Sequence, residues 1–307
     1  VTSPNQVQTA DYLMTSDGVR LAVCESGPPD APVTVVLLHG WVNDMTVWDP
    51  VVERLGADLH VVRYDHRGHG KSDPAPHGTA TIEQLGDDLA EVITQRVPRG
   101  KVVLAGHSMG GMTMMSLAQR HPDLVTERVV AAVFAATSSG KLGEVTFGLP
   151  RPVFNAVNKL DRRRRKPKVR TAAPRAAVQA AAKTNKTGKT NKIIANGVVR
   201  WLAFGPRPDR AAVRKTLAQM ENTDQRSAGG FRRAFGTHEL REALAHYAGA
   251  KTVVLAGELD RLTPLDHART IAEATPGAEL VIYPRTGHML PYERTAELTA
   301  WIRRAAR

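Results

Sequence analysis

Three apolar runs of strand length constrain this chain more than any other feature: residues 33–38 (VTVVLL), 101–105 (KVVLA) and 252–256 (TVVLA). A strand with one wet face alternates apolar and polar side chains, whereas a run without alternation is covered on both faces. Such strands require helices on each side of a mostly parallel sheet. The intervening sequence supplies them. Residues 47–55, 82–97, 265–274 and 292–303 carry helical spacing, and residues 59–64, 128–135 and 279–283 read as further strands. Residues 12–15 and 19–25 predict an opening hairpin that turns at Ser16-Asp17-Gly18. The expected fold class is α/β, with a mostly parallel eight-stranded sheet covered by helices on both faces.

The rhythm breaks once. Beyond Thr137, Pro150, Pro152, Pro167, Pro174, Pro206 and Pro208 punctuate Ala-rich, basic stretches that predict short helices and no strand. Residues 137–236 therefore read as an inserted helical lid, and residues 1–136 and 237–307 as the two parts of one core domain. The net charge of +12 is concentrated there. The insertion holds 23 Lys and Arg against 5 Asp and Glu, leaving 19 and 25 for the rest, so one segment carries +18 and the remainder −6.

With 42% hydrophobic and 23% charged residues, the composition excludes disordered and fibrous classes. No apolar run approaches the roughly 18 residues of a membrane span. Residues 1–17 are polar and lack a secretory pattern, and Cys24, the single cysteine, has no intrachain disulfide partner. A cytoplasmic setting is expected.

The run at 101–105 leads into Gly106-His107-Ser108-Met109-Gly110, followed by the helical stretch from Gly111. A serine at a sharp strand-to-helix turn projects its hydroxyl from the carboxyl edge of the sheet, and small neighbours let the backbone pass closely. A serine hydroxyl is a poor nucleophile at neutral pH, so it needs a base and a group that orients the base. Asp260 and His288 each follow a strand and fall at that same edge. Glu258 is the competing acid, but it lies closer to its strand. Residues 137–139, Thr-Ser-Ser, offer none. The expected set is Ser108 as nucleophile, His288 as base and Asp260 as orienting acid.

Charge developing on a carbonyl oxygen needs two backbone N–H donors aimed at one point. Met109, just after the serine, and Trp41, in the loop after residues 33–38, are expected to supply them, with Val42 as the alternative to Trp41. Substrate contacts are expected from His39, Val42, His107 and Met289, and from Phe154 and Trp201 of the insertion. Among the eleven histidines, His39, His66 and His69 read as structural or pocket-lining. His107 is expected to turn sideways into the sheet.

In order, Leu37-Leu38-His39-Gly40-Trp41, Tyr64-Asp65-His66-Arg67-Gly68-His69-Gly70-Lys71-Ser72, Gly106-His107-Ser108-Met109-Gly110-Gly111, Leu255-Ala256-Gly257-Glu258-Leu259-Asp260 and Gly287-His288 resemble the α/β-hydrolase superfamily, in its lid-bearing serine esterase, lipase and peroxidase-like branch. The chain order Ser, Asp, His matches that fold. The resemblance implies hydrolysis of a carboxylic ester, thioester or lactone through an acyl-enzyme on Ser108, without cofactor or metal. Acyl transfer or cyclisation would use the same residues, and a vestigial site would leave a ligand-binding protein. The aspartate nucleophile of similar epoxide hydrolases and dehalogenases is replaced here by Ser108.

The densest charge run is Arg162-Arg163-Arg164-Arg165-Lys166-Pro167-Lys168-Val169-Arg170. A solvated helix surface is its plain reading, and the scarcity of nearby aromatics argues against nucleic acid as partner. Its functional alternatives are an anionic or carrier-bound acyl substrate or a membrane surface. Neutralising Arg162, Arg163, Arg164 and Arg165 is expected to raise KM for anionic esters and flatten its salt dependence. Identical kinetics across salt would assign the run to solvated surface.

Overall fold

A computed structural model describes residues 9–146 and 188–307. Eight strands form one sheet: β1 (Thr9–Met14), β2 (Arg20–Ser26), β3 (Val33–Leu38), β4 (His60–Tyr64), β5 (Lys101–His107), β6 (Val129–Ala135), β7 (Lys251–Gly257) and β8 (Glu279–Tyr283). Their spatial order is β1-β2-β4-β3-β5-β6-β7-β8. β2 pairs antiparallel with β1 and with β4, and every other pairing is parallel. The parallel strands alternate between two cores with period two. Val36, Leu38, Val102, Leu104, Val254 and Ala256 enter one core; Val35, Leu37, Val103, Ala105, Val253 and Leu255 enter the other.

The first core is closed by α2 (Ile82–Arg96), α3 (Met109–Arg120) and α8 (Leu265–Ala274), and the second by α1 (Asp49–Leu55) and α10 (Thr295–Ala305). Thr81 caps α2 by accepting from Gln84 N at 3.2 Å, while a proline in the first turn starts α1. Two short helices, α4 (Pro122–Arg128) and α9 (Leu290–Glu293), complete the core. Between β6 and β7 the described chain forms α5 (Gly188–Ala203), α6 (Arg210–Glu221) and α7 (Gln225–Ala234), with one isolated bridge from Gly140 to Glu239. The basic run from Arg162 to Arg170, and Phe154, lie outside the described residues.

Two expected elements differ in detail. Residues 292–303 do not make one helix: the chain breaks at Arg294, whose φ of −136° is non-helical. Its guanidinium donates to Thr286 Oγ1 and the Pro284 carbonyl, each at 2.8 Å, and these long-range bonds replace helix continuity. Residues 45–48 form a 3₁₀ turn before α1, because Asp44 caps it by accepting from Thr46 N at 2.9 Å.

The loop after β4 is a dense polar knot. Arg67 is fully buried and donates to both oxygens of Asp88 and both of Asp17, joining the loop to α2 and to the β1–β2 turn. His39, His66 and His69 cluster beside it with their rings edge-on or tilted, centroids 4.5 Å apart for His39–His66 and 5.3 Å for His39–His69. Burial drives all three toward the neutral form: His39 down to about 4, His69 to about 3 and His66 well below its ordinary value.

These histidines set an acid limit on stability. Unfolded, each binds a proton near pH 6.5, whereas the folded state refuses it, so stability falls as pH drops below that value. Each group contributes at most about 1.4 kcal/mol per pH unit over this window. Asp65, raised by burial to about 6, acts in the opposite sense and offsets one of them. The urea midpoint is expected to decline steadily from pH 7 to pH 5. A flat midpoint over that range would contradict neutral burial of the cluster.

Candidate active site

Ser108 links β5 to α3 with φ 53° and ψ −117°, a backbone conformation that non-glycine residues rarely adopt. Such strain costs on the order of 1–3 kcal/mol and persists only where the surroundings over-determine it. Here they do. Ser108 N donates to the Ala135 carbonyl at 2.9 Å, and its own carbonyl accepts from Gly111 N at 2.9 Å and Thr137 Oγ1 at 2.6 Å. A side chain on Gly110 would start 2.3 Å from the Leu38 carbonyl oxygen, so only glycine lets α3 leave the sheet this closely.

The loop after β3 presses on the same turn. A Cβ on Gly40 would lie 3.2 Å from Ser108 Cβ and 2.9 Å from His107 Nδ1. Trp41 follows. Its indole donates to the Ala228 carbonyl at 3.1 Å and meets Phe235 edge-on at 5.7 Å, tying the loop to α7. Met109 is buried at the first position of α3, where a backbone N–H has no partner within the helix. Val42 has φ 56° and is partly exposed.

Asp260 and His288 meet at the carboxyl ends of β7 and β8. His288 Nδ1 lies 2.8 Å from Asp260 Oδ2, and both residues are buried. Asp260 Oδ1 accepts from Leu262 N at 2.8 Å and Thr263 N at 2.9 Å, and Oδ2 also accepts from Thr263 Oγ1 at 2.7 Å. Burial opposes its charge, yet the histidine beside it and these donors outweigh that and hold the carboxyl below its ordinary range. Glu258 is exposed and accepts from Arg285 N instead. Among the described residues, Ser108 Oγ forms no hydrogen bond. His288 reaches the serine turn through its neighbour, since its carbonyl accepts from His107 Nε2 at 2.9 Å and the two rings lie 4.9 Å apart.

Other sequence-predicted contacts separate into two groups. His39 is 0% exposed, donates from Nδ1 to the Gly40 carbonyl at 2.8 Å and accepts from His66 N at Nε2 at 2.9 Å, which fixes a neutral tautomer beneath the site. His107 and Met289 are buried too, as are Asp260, His288 and Met109. Trp201, 43% exposed, stacks under Arg261 at 4.9 Å. Among the described residues no group of three or more His, Cys, Asp or Glu is arranged to hold a metal ion, and no helix is long and apolar enough to cross a membrane.

Sequence reasoning missed three supporting residues. Thr263 has a 3.4 Å approach to His288 Nδ1 besides its bond to Asp260. Glu293 accepts from Gly287 N at 3.1 Å and Gly205 N at 2.7 Å, bracing the His288 loop. Gln219 binds Asn43, Asp44 and Thr46, bracing the loop after β3. The Thr263→Val variant removes a donor to a buried carboxylate, and about 1.5 to 3 kcal/mol of stability is expected to go with it at neutral pH. Thr263→Ser is expected to retain that stability, and equal urea midpoints for all three proteins would rule out the bond.

A family model described as the alpha/beta hydrolase fold matches residues 33–295. Over 118 residues the chain is 36% identical to "Probable oxidoreductase EphD" of Mycobacterium tuberculosis, covering 38% of this chain and 20% of that protein. It is 32% identical over 145 residues to the bifunctional esterase/perhydrolase DCH of Acinetobacter calcoaceticus, covering 47% of this chain and 51% of that one. The chain thus spans about half or less of the length of these curated relatives. The solved structure of a hydrolase from Pseudomonas aeruginosa PA01 superposes with a TM-score of 0.69 at 25% identity, covering 95% of this chain and 96% of that one. With its sheet order, its strained turn at Ser108 and a matching family model over most of its length, the chain belongs to the alpha/beta hydrolase fold family.

Proposed function

We propose that this protein is a serine hydrolase acting on a carboxylic ester, thioester or lactone with an apolar acyl group. The observation that carries the reading is the buried bond between His288 Nδ1 and Asp260 Oδ2, formed beside the strained turn that presents Ser108. A carboxylate on Nδ1 keeps the proton there and leaves Nε2 with its lone pair, the form a general base requires.

In the proposed mechanism Ser108 Oγ attacks the acyl carbon as its proton passes to His288 Nε2. Asp260 stabilises the resulting imidazolium. The carbonyl oxygen becomes an oxyanion held by the N–H groups of Met109 and Trp41, where one such donor is worth about 2.7 to 4 kcal/mol. His288 then protonates the departing alcohol or thiol. Water, deprotonated by the same nitrogen, attacks the Ser108 acyl ester, and the carboxylic acid leaves as the serine recovers its proton. Helices α5, α6 and α7 act as the lid in this reading, and the bond from Trp41 to α7 couples the lid to the oxyanion donors.

The perhydrolase activity in the name of the Acinetobacter relative supports a second outcome on the same acyl-enzyme, in which hydrogen peroxide replaces water and a peracid leaves. A fluorophosphonate probe is expected to form one adduct, on Ser108. Ser108→Ala should abolish it and lower ester turnover by roughly three orders of magnitude or more, with His288→Ala labelling far more slowly. Folded wild-type protein that takes no label would favour a ligand-binding role.

A further inference from the structure

A cavity of about 480 Å³ opens between the α5–α6 connection and the segment from Arg285 to Arg294 that carries His288. None of Ser108, Asp260, His288, Trp41 and Met109 lines it. Its lining includes Phe204, Pro206 and Pro208 together with Arg207, Arg285 and Arg294; Phe204 is buried, whereas Pro206, Arg207 and Arg285 are exposed. Only one of the three guanidiniums is engaged. Arg294 donates to Thr286 Oγ1, the Pro284 carbonyl and Glu297, whereas the side chains of Arg207 and Arg285 have no hydrogen bond or ion pair among the described residues.

The two carboxylates of the lining are already occupied. Glu293 accepts from Gly205 N and Gly287 N, and Asp209 accepts from Ala211 N at 3.0 Å as the cap of α6. Arg285 moreover holds a left-handed φ of 54° while its N–H is bound to Glu258 Oε2 at 2.9 Å. Non-glycine residues keep that conformation where a structure over-determines it, which is common around ligand sites. Two unengaged planar cations sharing a cavity with the rings of Pro206 and Pro208 match an anion with a hydrocarbon body. The nearby carboxylates select a single negative charge over a double one.

We propose that this cavity is a binding site for a small monoanionic organic carboxylate, held by Arg207 and Arg285 with its hydrocarbon portion against Pro206 and Pro208. The site is separate from the catalytic residues assigned above and does not depend on that assignment.

Isothermal titration calorimetry with hexanoate, hexanol and inorganic phosphate tests it on the wild type, the R207Q/R285Q double variant and H288A. Both arginines lack described side-chain partners, so the double variant is expected to fold, and its far-UV spectrum and urea midpoint check this. Hexanoate should bind the wild type and H288A alike and bind the double variant roughly tenfold more weakly or worse. Hexanol and phosphate should show no dependence on the two arginines. Absence of hexanoate binding to the wild type overturns the proposal, as does phosphate binding as tightly as hexanoate. Retention in the double variant with loss in H288A would place the carboxylate at the Ser108 turn instead, and also overturns it.

Discussion

The backbone of Ser108 is the constraint around which this fold is arranged. A residue with positive φ at the end of a buried strand is unfavourable on its own, so neighbouring elements must hold it there. Three strands contribute: β3 through the close pass of Gly110 over Leu38, β5 by leading into the turn, and β6 by accepting the Ser108 N–H on Ala135. These are adjacent in the sheet, so the nucleophile turn is braced by its most buried part.

The same edge collects four of the five described non-glycine residues with positive φ, Lys141 being the exception. Val42, Ser108, Ala136 and Arg285 all have positive φ, and each lies just beyond the carboxyl end of a strand: β3, β5, β6 and β8 respectively. Loops that must turn sharply and still present side chains or N–H groups over the sheet concentrate their conformational cost there. The polar knot of Arg67, Asp17 and Asp88, joined to the buried histidines, anchors the neighbouring β4 loop, whose positive φ values fall on Gly68 and Gly70. Glycine carries those dihedrals without the cost that a side chain would add.

Much of this was legible in the chain because the signals are local. Unbroken apolar runs place the strands, and a glycine-flanked serine between a strand and a helix places the turn. Glu258 and Asp260 could be ranked only by their distance from β7, and the structure joins Asp260 to His288 while Glu258 faces Arg285 N. What was not legible depends on pairs far apart in sequence. Thr263, Glu293 and Gln219 belong to no motif, and their partners are fixed only when helices and loops converge. The break at Arg294 is of this kind, since helical spacing continues through it. For His39 the sequence leaves a structural and a pocket-lining reading open, and only the fold brings the His66 N–H onto its free nitrogen.

The carbonyl of Ala203, at the end of α5, accepts from both His288 N at 2.9 Å and Met289 N at 3.1 Å. The inserted segment is therefore no detachable cassette resting on a finished hydrolase core. The last turn of α5 is part of the mould in which the imidazole-bearing loop is cast. Exchanging this insertion for one from another family member would succeed only if the graft preserved the peptide at Ala203 and the passage through Gly205, because a splice upstream of them keeps the register of the loop and a splice downstream removes it.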